Sequence, residues 1–164
     1  MKTLFLLRHA KSSWKEAELS DFDRPLNERG RRAAPFVGRL VKERGFVPDL
    51  IVSSPAKRAR KTAKLAKEAG EFDTPLIFDD RIYEASPNTL LYVAAETDDD
   101  IDSLMLVGHN PGMEGLIRVL TRQTEAMPTA ALAIIDLDID RWKDLSSGLG
   151  TLREVIRPRD EMDK

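Results

Sequence analysis

Cysteine does not occur among the 164 residues. That excludes disulfides, thiolate metal sites and every mechanism with a cysteine nucleophile, and it fits a reducing, cytoplasmic setting. Histidine occurs only at His9 and His109, too few to build a multi-histidine metal site within one chain. Charge of one sign is missing as well: 26 Lys and Arg stand against 28 Asp and Glu, a net of -2. Such a chain has no global field to hold nucleic acid or an anionic membrane, so neither is expected as a partner, and any affinity for anions must be local. No apolar run approaches the ~20 residues that a membrane-spanning helix needs. Residues 1–7 open like a secretory leader, but Arg8 ends the apolar run short of the roughly 7–15 residues such a leader carries, and the segment reads instead as a first strand.

What is present is an alternation of short apolar runs with helical patterns. Residues 4–7, 50–52, 76–78 and 104–107 are uninterrupted apolar runs, as in strands buried on both faces. Between them Ala33, Phe36, Val37, Leu40 and Val41 recur at helical spacing, and Met113, Leu116, Ile117 and Leu120 do so again. This order predicts an α/β fold with a mostly parallel sheet. Ser54-Pro55, Ser86-Pro87 and Asn110-Pro111 each set a polar cap before a proline at the first helical position, predicting three helix starts. Pro35 lies inside the periodic segment 28–44 and either kinks that helix or marks its true start. Residues 130–135 and 151–156 look like two more strands. No repeat or linker divides the chain, so one domain is expected over 1–157, followed by a charged, frayed tail at 158–164.

Polar residues of uncommon type fall where these strands end. Arg8-His9 follows the first, Ser53-Ser54 the second, and His109-Asn110 the fourth, while Glu84 lies a few residues past the third. In an open α/β sheet the carboxyl edge of the strands is where ligands bind, so residues far apart in the chain converge on one crevice. Arg58 belongs to a basic run, 57–67, that could be a solvated helix face. At about 100° per residue, Lys57, Arg60, Lys61, Lys64 and Lys67 share one arc, opposite Ala59, Thr62, Ala63 and Ala66. Arg58 falls outside that wet stripe, in the first turn beside the buried arc, from which it reaches the crevice. Two arginines and two histidines near the helix starts at Ser54 and Asn110 suit a small tetrahedral oxyanion such as phosphate, although carboxylate or sulfate would also fit.

These residues also match a family pattern. Leu7-Arg8-His9-Ala10 resembles the Arg-His-Gly/Ala signature of the histidine phosphatase superfamily. Ser53-Ser54-Pro55 with Arg58-Ala59 and Thr62 resembles its second motif, and Val107-Gly108-His109-Asn110-Pro111 its third. The phrases Arg8-His9-Ala10-Lys11-Ser12, Arg24-Pro25-Leu26-Asn27-Glu28-Arg29-Gly30 and Tyr83-Glu84-Ala85 look most like its SixA-type branch of phosphohistidine phosphatases. The resemblance implies a three-layer α/β/α, phosphoglycerate mutase-like fold and a metal-independent phosphatase without a cofactor. It further implies that His9 is the nucleophile and passes through a phosphohistidine, with Arg8, Arg58 and His109 binding the phosphoryl oxygens. Ser12 and Asn110 are further candidate donors to phosphate. The expected substrate is phosphohistidine in a protein partner, such as a histidine phosphotransfer domain. A small phosphate ester at the same site and a phosphate-binding module without turnover are the alternatives.

An alkoxide leaving group needs a proton, for which Glu84 is the candidate acid, with Asp21 and Asp23 in reserve. Glu84 reads equally well as a surface or capping carboxylate ahead of Ser86-Pro87. Asp98-Asp99-Asp100 reads as a solvated loop, and the alternation from Asp136 to Asp140 as a strand with an acidic wet face. Trp14 and Trp142 either line an entrance or pack, with packing favoured for Trp142.

Overall fold

The first apolar run becomes the centre of β1 (Lys2–Arg8) in the computed structural model, which describes residues 1–162. Leu4 and Leu6 enter one core and Phe5 and Leu7 the other, because successive side chains of a strand point to opposite faces. That explains why the run has no polar alternation. The other strands are β2 (Leu50–Ser53), β3 (Leu76–Phe78), β4 (Ser103–Gly108), β5 (Leu132–Leu137) and β6 (Gly150–Ile156). They form one sheet in the order β3-β2-β4-β1-β5-β6. Pairings among the first four are parallel, and β5 and β6 add antiparallel at one edge.

Helices cover both faces. α1 (Glu28–Glu43) and α2 (Lys57–Ala69) bury Ala33, Val37, Val41, Ala59 and Ala63 against one face of the sheet. α3 (Pro87–Ala95) and α4 (Gly112–Thr121) bury Leu90, Val93, Met113, Leu116 and Leu120 against the other. The fold is therefore the expected three-layer α/β/α with a mostly parallel sheet. Among the described residues no helix is long and apolar enough to cross a membrane.

Several local expectations are corrected. α1 begins at Glu28, where Asn27 accepts a hydrogen bond from Gly30 N, and it continues through Pro35, which neither starts nor ends it. Ser86-Pro87 starts α3 as expected, with Ser86 as cap. Ser54-Pro55 does not start α2, which begins at Lys57, where Arg60 N donates to Ala56 O at 2.9 Å; the Ser54 hydroxyl accepts from Ala56 N and is bonded to the His109 ring. α4 likewise begins at Gly112, and the Asn110 amide instead donates to Met127 O at 3.0 Å. β3 is an edge strand with Ile77 and Phe78 exposed, so its apolar run is not buried on both faces. The charged tail starts as a short helix, α5 (Pro158–Glu161), with Pro158 buried and Met162 against the core; Asp163 and Lys164 lie outside the described residues. Trp142 is fully buried and donates its indole N–H to Ile101 O at 2.7 Å, whereas Trp14 is exposed.

Candidate active site

Strand register assembles the site. Arg8 on β1 lies opposite Gly108 on β4, and Ser53 on β2 opposite Val107, so the chain leaves all three strands at the same level of one sheet edge. His9 N donates to Gly108 O at 3.0 Å and Ser54 N to Val107 O at 2.9 Å, carrying the pairing one residue beyond the strands. His9 and His109 consequently face each other with ring centroids 5.2 Å apart.

A hydrogen bond to a backbone carbonyl fixes the proton on the His9 ring. His9 Nδ1 lies 2.8 Å from Ala10 O; a carbonyl only accepts, so Nδ1 holds the proton and Nε2 keeps its lone pair. His109 Nε2 lies 2.8 Å from Ser54 Oγ, which already accepts from Ala56 N. Nδ1 of the same ring is buried without a partner; with Ser54 donating to Nε2, that atom carries the proton. Burial pushes the His9 imidazole down to about 3, opposed by the Ala10 carbonyl and assisted by the charges of His109, Arg58 and Arg8. Burial and the charge of Arg58 likewise push His109 to about 4, with Asp21 opposing. Both rings are neutral near pH 7, and His9 offers the lone pair at Nε2.

The cations surround them. A cavity of about 290 Å³ is lined by Arg8, His9, Lys11, Ser12, Trp14 and Arg24, with Arg58, His109, Asn110 and Thr129 completing it. Among the described residues, the buried side-chain nitrogens without a partner are Nε of Arg8, Arg24 and Arg58 and Nδ1 of His109, and all four residues line this one cavity. Buried donors are nearly always satisfied in folded proteins, so unspent donors gathered at one place mark a site for an acceptor-rich ligand.

Asp21 organises the guanidinium groups. Its Oδ1 accepts from Arg24 at 2.9 Å, and its Oδ2 accepts from Arg58 at 3.0 Å and from the Tyr83 hydroxyl at 2.6 Å. Its backbone carbonyl accepts from Arg58 Nη1 at 2.6 Å. Partial burial opposes ionisation of Asp21, but the hydrogen bonds from Tyr83, Arg24 and Arg58 outweigh it and hold the carboxyl well below its usual range. Burial and the bond to Asp21 push the Tyr83 phenol up to about 12, so it stays a donor. Arg24 also donates to Ser12 Oγ at 2.9 Å and stacks 3.5 Å over the exposed Trp14 ring.

The sequence-predicted residues His9, Arg8, Arg58, His109, Ser12 and Asn110 thus share one cavity. Glu84 does not line it. Glu84 is exposed on the wall of an adjoining lobe of about 620 Å³ that also contains Asp21, Arg58, His109 and Asn110. Asn110 donates one amide N–H to Met127 O and accepts from Glu114 N through Oδ1, so it also holds the loop in place. Asp21 is unsuited as a reserve acid because it is held ionised, and Asp23 is bonded to Ser20 and lines neither cavity. The helix amino ends expected near Ser54 and Asn110 begin later in the chain, at Lys57 and Gly112. Sequence reasoning did not place Arg24 or the anchoring role of Asp21. The phrase beginning at Arg24 was the available signal, but its guanidinium is placed by contacts across the fold. No group of three or more metal-ligating side chains occurs among the described residues.

The model of the histidine phosphatase superfamily (branch 1) matches residues 4–128. The chain belongs to this superfamily. Among superfamily relatives, an uncharacterized protein of Mycobacterium tuberculosis is 31% identical over 164 residues, spanning 93% of this chain and 100% of its own. The structure named SixA from Agrobacterium tumefaciens is 32% identical with a TM-score of 0.83, covering 96% of this chain and 98% of its own. The protein histidine phosphatase SixA complexed with tungstate has the same TM-score, 0.83, at 21% identity, and covers 97% of this chain and 99% of its own. The phosphoglycerate mutase-like fold expected from the sequence is the observed one.

Proposed function

We propose that the protein is a metal-independent phosphatase of this superfamily that works through a phosphohistidine on His9, and that its substrate is phosphohistidine in a protein partner. The observation that carries the chemistry is the convergence of unpartnered buried nitrogens on the cavity that contains His9, whose Nε2 is left free by the Ala10 carbonyl. Likeness to the Agrobacterium SixA structure supports the substrate class.

In the first step the Nε2 lone pair of His9 forms a bond to phosphorus while the bond from phosphorus to the leaving group breaks. The positive charge that develops on the imidazolium stays beside Ala10 O, which accepts from Nδ1. Arg8, Arg58 and His109 Nδ1–H match the charge on the equatorial oxygens, and Arg24 and Ser12 border the same space. A leaving imidazole takes up a proton readily; an alkoxide would draw it from Glu84 in the adjoining lobe. Water then attacks phosphorus, releasing inorganic phosphate and regenerating neutral His9. A phosphoryl group carried on a protein, such as a histidine phosphotransfer domain in the cytoplasm, would meet the cavity beside Trp14, which lines it and is exposed.

Early quenching with EDTA present, using an aryl phosphate and a phosphohistidine protein, tests this. The peptide containing His9 is expected to gain a phosphate, and His9→Ala to abolish both adduct and turnover. A clear preference for esters would reassign the substrate to small molecules. Phosphate binding without adduct or turnover would make the protein a binding module.

A further inference from the structure

Arg8 is held from outside its own strand. Residues 123–128, between α4 and β5, belong to neither helix nor strand, yet Met127 O accepts from Arg8 Nη1 at 3.0 Å and from Asn110 Nδ2 at 3.0 Å. One loop carbonyl thereby meets a side chain from the end of β1 and another from just past the end of β4. A guanidinium is planar, so fixing one Nη at a carbonyl restricts the plane in which the rest of the group lies. Arg8 Nε is left buried without a partner among the described residues, and Arg8 lines the cavity that holds both histidines.

A carbonyl in an irregular loop orients a cation only as well as it is itself held. The peptide just before it, joining Ala126 to Met127, is gripped on both sides. Its N–H donates to Glu114 Oε1 at 2.9 Å. Its carbonyl, Ala126 O, accepts from Arg157 Nε at 3.1 Å and from Arg157 Nη2 at 2.9 Å. Glu114 comes from the first turn of α4, where its own N–H donates to Asn110 Oδ1 at 3.3 Å. Arg157 follows β6 and also pairs with Glu125 at 3.0 Å. The Met127 side chain is buried in the core, which anchors the same residue a third way. Neither Glu114 nor Arg157 lines the cavity itself.

We propose that Glu114 and Arg157 are positioning residues for Arg8: by clamping the Ala126–Met127 peptide they hold the Met127 carbonyl where it aims the Arg8 guanidinium at the phosphoryl group. The inference rests on the phosphatase reading for the identity of the group that Arg8 meets, and it adds the device that fixes one of the cations. Burial pushes the Arg8 guanidinium down and the carboxylate of Glu114 opposes this, so Glu114 bears on Arg8 through charge as well as through the peptide. Glu114→Gln separates the two effects, because it keeps an oxygen for Met127 N and removes the charge.

The test combines kcat/KM for an aryl phosphate, calorimetric affinity for inorganic phosphate and urea unfolding. Glu114→Ala and Arg157→Ala are each expected to lower kcat/KM roughly ten- to a hundredfold and to weaken phosphate binding, through a misplaced Arg8. Glu114→Gln is expected to recover most of that loss. Val41→Ala, buried on α1 against the other face of the sheet, is the control for lost stability and should keep both readouts near wild type. Wild-type kcat/KM and phosphate affinity in either alanine variant overturn the clamp. So does a glutamine variant as impaired as Glu114→Ala, which would leave charge as the cause, and so does an equal loss in Val41→Ala. Should Glu114→Ala fail to fold, Arg157→Ala decides by the same criterion. A wild type without turnover on any substrate overturns the phosphatase reading, and phosphate affinity alone then decides the clamp.

Discussion

His9 and His109 illustrate how little of a residue's chemistry resides in its type. An exposed imidazole titrates near 6.5, yet burial and neighbouring guanidinium charge bring these two to about 3 and about 4. With only two histidines in the chain, each ring is separately visible by NMR. Both are expected to stay neutral down to about pH 5 in the free protein, with midpoints near the values above. Saturating inorganic phosphate should raise the His109 midpoint, because an anion in the cavity favours the charged form of the ring that lines it. Midpoints near 6.5 for both rings would contradict the buried, cation-flanked site.

At the scale of the element, the start of α1 is coupled to the loop that carries Lys11 and Ser12. Asn27 N donates to Lys11 O at 2.9 Å while the Asn27 side chain caps the helix. Gly30 sits directly over this loop, where an added Cβ would come 2.2 Å from Lys11 O, well inside contact distance. Because the obstacle is backbone, the loop must shift to admit a methyl group. Gly30→Ala is expected to cost roughly 1–3 kcal/mol, measured by urea unfolding, and to lower turnover by displacing Lys11 and Ser12. Unchanged stability and kinetics would show that the helix and loop are not coupled in this way. The same coupling explains the glycine at the end of the phrase from Arg24 to Gly30, for which local propensity offers no reason inside a helix.

The whole molecule carries the buried site as a stability cost that depends on pH. Neutral when folded, the two histidines take up protons on unfolding at any pH between their folded values, about 3 and about 4, and 6.5. The unfolded chain thus binds more protons in that window, so stability falls as pH drops through it. Urea midpoints are expected to decline from pH 7 to 4.5, and His9→Asn with His109→Asn to flatten the decline; a decline identical in wild type and variant would remove these rings as its cause. The order of strands and helices, the two-sided burial of β1, and the grouping of Arg8, His9, Arg58 and His109 at one sheet edge were all readable along the chain. Those features follow from periodicities of two and 3.6 and from the rule that parallel strands end on the same side. Contacts between distant segments alone set the rest: the bond between Ser54 and the His109 ring, the Asp21 clasp on Arg24 and Arg58, and the later starts of α2 and α4. Spacing along the chain carries no record of which hydroxyl or carboxylate meets a ring or guanidinium across the fold, and that meeting sets charge, tautomer and orientation at the site.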